Sequence, residues 1–464
     1  MPPSAFVLRV ALPVPLPRLF DYLPPAGEAV DGGWVGCRVR VPFGPRELVG
    51  VVAGVGAADP SAPDPKPALA RLDFEPLFEG ELLRSLHWLA GYVHAPLGEV
   101  LATALPAALR RSEPLPDTHA FAWRLTEAGA TALPALPALR AGRPRRLAEL
   151  LECAPMPEAL LEDVLEGWRG AARTLASRGL VERIAIAATA PPAHVQAGPG
   201  LNAEQQAAVD ALRATQGFAP LLLDGVTGSG KTEVYLHAIA DLCLARGRQA
   251  LVLVPEIGLT PQTLARFRAR LGVPVHALHS GLNDNERARV WAAAWRGEAR
   301  VIVGTRSAVF TPLPDAGLIV IDEEHDGSYK QQDGIRYHAR DFALVRGKAL
   351  DVPVLLGSAT PSLESLHNAQ AGRYAHLRLA RRAGNAKPPS VRVLDVRKRP
   401  LQAGLSQELL AAMRAALDAG GQVLVFKNRR GYAPVLLCHD CGWSAQCRRC
   451  STPEKGTPMT VHAG

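Results

Sequence analysis

Residues 221–232 read Leu221-Leu222-Leu223-Asp224-Gly225-Val226-Thr227-Gly228-Ser229-Gly230-Lys231-Thr232. An apolar run, a glycine-rich segment and a Lys-Thr pair opening a helix-spaced stretch form the strand–loop–helix context of a phosphate-binding loop. In this reading the backbone N–H groups of Gly225, Val226, Thr227, Gly228, Ser229 and Gly230, with the helix N-terminus, surround the phosphates of ATP. Lys231 neutralises their β and γ oxygens, and Thr232 ligates Mg²⁺. The chain has eight lysines against 44 arginines, so a lysine at the one required position is informative.

The other half of such a site is an acidic residue at a strand's end, and Leu318-Ile319-Val320-Ile321-Asp322-Glu323-Glu324-His325 supplies it. Asp322 would hold the Mg²⁺ water shell and Glu323 would orient and deprotonate the attacking water. Around these motifs the runs 221–223, 250–254, 301–303, 318–321 and 354–356 alternate with amphipathic stretches. That pattern predicts a parallel, doubly wound sheet buried on both faces, a RecA-like P-loop lobe over 199–375.

Outward from the lobe the chain reads as a multidomain α/β protein. Residues 5–56 alternate apolar with polar in short bursts between Pro and Gly, which predicts a small β domain. A helical tail with Leu82, Leu83, Leu86, Leu89 and Ala90 on one face closes this first domain at about 110. Residues 111–198 suggest helices near 145–153 and 157–178 and a strand at 180–184, the outline of either a winged-helix-like module or a small Ala-rich bundle, followed by a linker. Residues 376–464 start a second lobe that is incomplete, with a helix over 407–419, a strand over 422–426 and a cysteine cluster. Cys438-x2-Cys441 and Cys447-x2-Cys450 have knuckle spacing, and in a chain with scattered single cysteines elsewhere zinc fits better than disulfides.

At 464 residues, 48% hydrophobic and 21% charged, the chain can bury several cores, which excludes a disordered or fibrous protein. No apolar run is long enough to span a membrane, and the start lacks a basic-then-apolar signal, so a cytoplasmic location is expected. The net charge of +8 favours a polyanionic partner.

Further segments narrow the kind. Gly357-Ser358-Ala359-Thr360-Pro361 resembles the superfamily 2 helicase motif that couples nucleotide state to DNA, and Val254-Pro255-Glu256 and Val303-Gly304-Thr305-Arg306-Ser307 resemble its DNA-contacting motifs. Gln205 stands where such proteins read adenine. Tyr329-Lys330 and Tyr337 lie in a polar segment that interleaves aromatics with cations, which predicts a grip on single-stranded DNA. Residues 11–22 and 36–44, Ala11-Leu12-Pro13-Val14-Pro15-Leu16-Pro17-Arg18-Leu19-Phe20-Asp21-Tyr22 and Gly36-Cys37-Arg38-Val39-Arg40-Val41-Pro42-Phe43-Gly44, complete a pattern similar to the PriA family of bacterial primosomal replication-restart helicases.

That resemblance implies a 3′ DNA-binding domain whose pocket takes the terminal nucleotide of the leading strand at an arrested fork. Carried over, Phe20, Asp21, Tyr22, Gly44 and Lys66 line the pocket, with Asp21 accepting from the 3′-OH. It further implies branched and single-stranded DNA (forks, D-loops, 3′ ends) as partners, along with primosome proteins and single-strand-binding protein, and no membrane. The likeness runs through Asn428-Arg429-Arg430-Gly431-Tyr432-Ala433-Pro434 into the cysteines. Family members continue with two further cysteine pairs, the rest of lobe two and an arginine facing ATP, whereas this chain ends at Gly464. Such an arginine contributes on the order of a thousandfold or more in rate, so the expectation is fork recognition and primosome assembly with ATP bound weakly or unproductively and unwinding lost. The alternative is an active ATP-dependent 3′-to-5′ helicase. For zinc, the four cysteines either close on one ion or form an incomplete site.

Overall fold

The computed structural model describes all residues except 1–5, 59–63, 118–119, 134–141, 153, 159–160, 162–163, 187–194, 197, 384–389, 403, 427–437, 439–440, 442, 450, 453–455, 457–458 and 460–464. The chain divides into two compact units, 1–386 and 387–464.

The first unit begins with a six-stranded sheet of β1 (Phe6–Ala11), β2 (Phe20–Leu23), β3 (Arg38–Phe43), β4 (Arg46–Ala57), β5 (Lys66–Pro67) and β6 (Ala70–Arg71), ordered β5-β2-β1-β4-β3-β6. Alternation along β1, β3 and β4 sends Leu8, Val10, Val39, Val41 and Val52 into a core with Trp34. Although β2 and β3 are not neighbours in this order, the Tyr22 hydroxyl donates to the Pro42 carbonyl at 2.9 Å. The rings of Phe20 and Phe43 meet edge to face at 5.3 Å, so the sheet curls until the two strands touch. Helices α1 (Gly80–Tyr92), α2 (Leu97–Ala104) and α3 (Ala107–Arg110) follow. Leu82, Leu86 and Leu89 are buried, and Leu83 and Ala90 pack partly against them, as the spacing predicts.

Next come β7 (Ala120–Leu125), α4 (Glu127–Ala132), α5 (Arg143–Leu151), β8 (Met156–Pro157), α6 (Trp168–Ala176) and β9 (Val181–Ile186), with the strands in the antiparallel order β8-β7-β9. Leu147, Leu151, Leu161, Trp168 and Leu175 form their core.

The lobe runs α7 (Ala203–Ala214), β10 (Pro220–Gly225), α8 (Lys231–Leu242), β11 (Gln249–Leu253), α9 (Pro261–Leu271), β12 (Val275–Leu278), α10 (Asp284–Trp295), β13 (Val301–Gly304), β14 (Ala316–Asp322), α11 (Ala339–Leu350), β15 (Val354–Ser358), α12 (Leu363–Gln370) and β16 (Ala375–Leu379). Its seven strands are parallel, in the order β12-β13-β11-β14-β15-β10-β16. Leu221 and Leu223 face α7 and α8 in one core, while Leu222 faces the opposite core. Both faces are therefore covered, as the continuous apolar runs predict. The five runs read from sequence are the five inner strands. β12 and β16 lie at the edges, where half-polar sequences such as Ala375-His376-Leu377-Arg378-Leu379 carry no continuous apolar signal.

The core on one face of this sheet is continuous with α1–α3, joining Leu86 and Val100 to Trp291, Phe310 and Phe342. Two buried arginines fasten the junctions. Arg38 donates to both oxygens of Asp73, at 2.9 and 2.7 Å, and to the Leu109 carbonyl at 2.7 Å. Arg346 on α11 donates to Glu81 on α1 at 2.8 Å, and to the carbonyls of Val309 and Thr311 at 2.8 and 2.7 Å.

In the second unit a short hairpin of β17 (Leu401–Gln402) and β18 (Leu405–Ser406) leads into α13 (Gln407–Asp418), whose first turn is capped by Ser406. The expected strand at 422–426 is not formed: no described strand lies beside it to supply a hydrogen-bonded partner, and Leu424 and Phe426 are exposed. The motif Asn428–Pro434 lies outside the described residues.

Candidate functional site

The P-loop leaves the C-terminal end of β10 and enters α8 through Gly228 and Gly230, with φ of +80° and +81°, a region glycine enters without penalty. No side chain caps the N-terminus of α8, so its first N–H groups are left for an anion. Ser229 Oγ is buried without a partner among the described residues. The Lys231 ammonium, nearly buried, donates to the Gly225 carbonyl at 3.1 Å and lies 3.4 Å from Glu323. A nucleotide fits this arrangement: uncapped N–H groups and a cation held by carbonyl and carboxylate oxygens that a phosphate would replace.

Gln205 sits behind this loop with its side chain fully engaged. Its amide donates to the Ser229 carbonyl at 2.8 Å, its oxygen accepts from the Asn202 N–H at 2.9 Å, and the two residues form a capping box for α7. A Cβ on Gly230 would lie 2.4 Å from that amide nitrogen, so Gly230 is required for closeness as well as for conformation.

At the end of β14, Asp322 accepts from the Tyr235 hydroxyl at 2.9 Å, and its carbonyl accepts from the Tyr329 hydroxyl at 2.6 Å. Burial pushes the Asp322 carboxyl above its ordinary pKa, and the Tyr235 hydrogen bond and Lys231 only partly oppose this. Gly357 lets the Tyr235 phenol pass, since a Cβ there would lie 1.7 Å from its oxygen. Glu323 has φ of +44°, a left-handed conformation costly for a non-glycine residue and common where function over-determines the backbone. Asp322 and Thr232 would hold Mg²⁺, and Glu323 would take a proton from water.

Two residues of the acidic motif connect it to the segment after β15. His325 Nδ1 lies 2.7 Å from Ser358 Oγ, which in turn accepts from the Thr360 N–H at 2.9 Å. Glu324, 0% exposed, accepts from the Ser362 N–H at 2.7 Å, the Ser362 and Ser365 hydroxyls at 3.0 and 2.8 Å, and Arg340 at 3.0 Å. Neither Glu324 nor Tyr235 is predicted by the motif reading, because their partners are distant in sequence.

In the first domain, strand pairing sets Tyr22 beside Lys66, and the curled sheet brings Phe20 and Tyr22 to the end of β3, next to the turn at Gly44, where φ is +59°. Asp21, paired with Arg9 across the strands, is half-buried, and its side chain makes no hydrogen bond or ion pair with a described residue. Arg18 stands over the Phe20 ring at 4.9 Å.

The segment expected to grip single-stranded DNA is packed differently. Tyr329 and Tyr337 are 0% and 2% exposed, and Tyr337 packs on Phe310 at 4.7 Å, so their ring faces meet protein rather than solvent. Arg306 donates to the carbonyls of Ser328 and Lys330 at 3.0 and 3.2 Å, and Lys330 to that of Arg336 at 2.6 Å. These cations hold the loop's shape.

Cys438, Cys441 and Cys447 are described and Cys450 is not; among the described residues no three potential metal ligands converge. The Cys438 N–H donates to the Trp443 carbonyl at 2.6 Å, and the Ser451 N–H to that of Cys447 at 2.9 Å. Among the described residues no helix is long and apolar enough to cross a membrane.

The family model described as the 3′ DNA-binding domain matches residues 9–106, and that of the DEAD/DEAH box helicase matches 202–369, which implies nucleotide binding by the lobe. The replication restart protein PriA of Haemophilus influenzae is 45% identical over 462 residues, 96% of this chain and 62% of that protein. Those of Bacillus subtilis (44% over 56% of this chain and 32% of that protein) and Treponema pallidum (32% over 96% and 57%) also match. The chain thus spans less than two thirds of the length of these relatives. A solved RecG–three-way-junction complex has 22% identity and a TM-score of 0.33 over 49% of this chain and 29% of that one. Its first domain and its lobe each match a family model, and 96% of its length aligns at 45% identity with one replication restart protein, so the chain is similar to the PriA family over nearly all of its length.

Proposed function

We propose that the chain recognises arrested replication forks and D-loops through a 3′ end held at Phe20, Asp21, Tyr22, Gly44 and Lys66, binds MgATP on its lobe, and helps assemble the primosome in the cytoplasm. The observation that carries this is the half-buried Asp21 carboxylate, which bonds no described residue, on the strand that pairs with Lys66's. A carboxylate kept free as an acceptor suits a sugar hydroxyl. Residues 111–198, with helix, short strand, helix and strand, are read as a winged-helix-like module on the same DNA. Primosome proteins and single-strand-binding protein are partners by kinship with the relatives. Thr232, Asp322 and Glu323 are assigned to Mg²⁺ and water, and Gln205 to the adenine side of the nucleotide. Arg306 and Lys330 are assigned to the DNA strand, through the N–H groups left over from their bonds to the loop's carbonyls, while Tyr329 and Tyr337 shape the loop from within.

A second reading, ATP-driven 3′-to-5′ unwinding, is favoured by the assembled Lys231–Glu323 pair at 3.4 Å. Fork binding, ATP turnover and strand displacement measured on one preparation separate the two, with Lys231→Ala as control. Binding without displacement supports recognition alone, and displacement abolished by Lys231→Ala supports the motor. For the cysteines, one zinc ion at most is proposed, held by Cys438, Cys441, Cys447 and Cys450, and metal content of the purified chain tests it.

A further inference from the structure

Where α2 and α3 of the first domain meet the lobe, the structure forms a cleft of about 80 Å³ that opens to solvent on one side. Its lining includes Arg110, Arg287, His279, Trp291, Ser307 and Thr311, and no carboxylate. Two of these groups are buried donors without a partner among the described residues, the Trp291 Nε1–H and the Arg287 Nε–H. Trp291 is 3% exposed, and a buried donor left unpaired is costly. Arg287 uses its Nη2 on the Ser280 carbonyl at 2.7 Å, and Arg110 its Nε on that of Leu105 at 3.0 Å. Each guanidinium therefore keeps other N–H groups unassigned. Asp284 attracts Arg110 but is itself paired with Arg111 at 3.0 Å.

We propose that this cleft is an oxyanion site that takes one phosphate group. Two guanidinium groups and an indole N–H beside a space without a carboxylate suit a tetrahedral anion, and the volume is several times the roughly 10–15 Å³ a single water needs. The site stands apart from the P-loop and from Asp21, and it depends on neither. The phosphate has two possible sources, the backbone of a bound DNA strand or a free anion. Arg287 and Ser307 also line the adjoining hollow that contains Arg306, so a strand held there has a direct way to present a phosphate.

The test uses the full chain carrying Lys231→Ala, so that the P-loop does not report, and inorganic phosphate as probe. Thermal unfolding in phosphate against chloride at matched ionic strength should show protection. Trp291→Phe, which keeps a ring against Phe78, and Arg110→Met should each weaken phosphate by about tenfold. The same variants are titrated with a single-stranded oligonucleotide across salt. A slope of log affinity against log salt shallower by roughly 0.7 in Arg110→Met identifies a backbone phosphate, whereas an unchanged slope with lost protection identifies a free anion. If neither readout responds to either substitution, the cleft holds water alone and the proposal is wrong.

Discussion

Asp322 shows how a single site residue sets a stability trend. Burial raises its pKa in the folded chain, so its favourable contribution is complete below the unfolded value of about 3.9 and is lost as pH rises through the higher folded value. Asp322→Asn should therefore melt at a higher temperature than the unaltered chain at pH 7, with the gap closing near pH 3.5. Thermal unfolding at the two pH values checks this, and an Asn variant less stable at pH 7 would contradict it. Lys231, Asp322 and Glu323 are legible in the sequence because adjacent residues and one loop place them. Tyr235, which bonds Asp322, is not, since only the packing of α8 against β14 brings them together. The aromatic–cation alternation at Tyr329 and Tyr337 says nothing of which way a ring packs, and Phe310 decides it.

Between elements, Glu324 ties the end of β14 to the start of α12 and to Arg340 on α11. Removing a buried carboxylate leaves a cation and several donors unpaired, which costs about 3–5 kcal/mol. Glu324→Ala should lose that much in urea unfolding, and Glu324→Gln, which keeps an acceptor of the same shape, markedly less. Equal losses would mean that the negative charge facing Arg340, rather than the shape and the remaining acceptor, is at stake. The five inner strands are readable from apolar runs, whereas the edges β12 and β16 are not, because one open side leaves their sequences half polar.

Across the first unit, the DNA-binding domain and the lobe share one core, and Arg346, fully buried, is held by Glu81 from the other domain. Glu81→Ala should cost roughly 3 kcal/mol or more in chemical unfolding. Residues 1–110 expressed alone should expose Leu86 and Val100, bind hydrophobic dye and self-associate. A well-behaved monomer of that fragment would contradict the shared core. Sequence periodicity marks α1 as amphipathic but leaves open which surface it covers, so this junction is visible only in the structure.

The first domain is proposed to read a 3′ end through Asp21. The direct measurement is the affinity of the full chain for a fork whose leading strand ends in a 3′-OH against the same fork ending in a 3′-phosphate, repeated with Asp21→Asn. A preference of about tenfold for the hydroxyl is expected, which the Asn variant largely loses. Equal affinity for the two forks, or a preference that survives in Asp21→Asn, would contradict it.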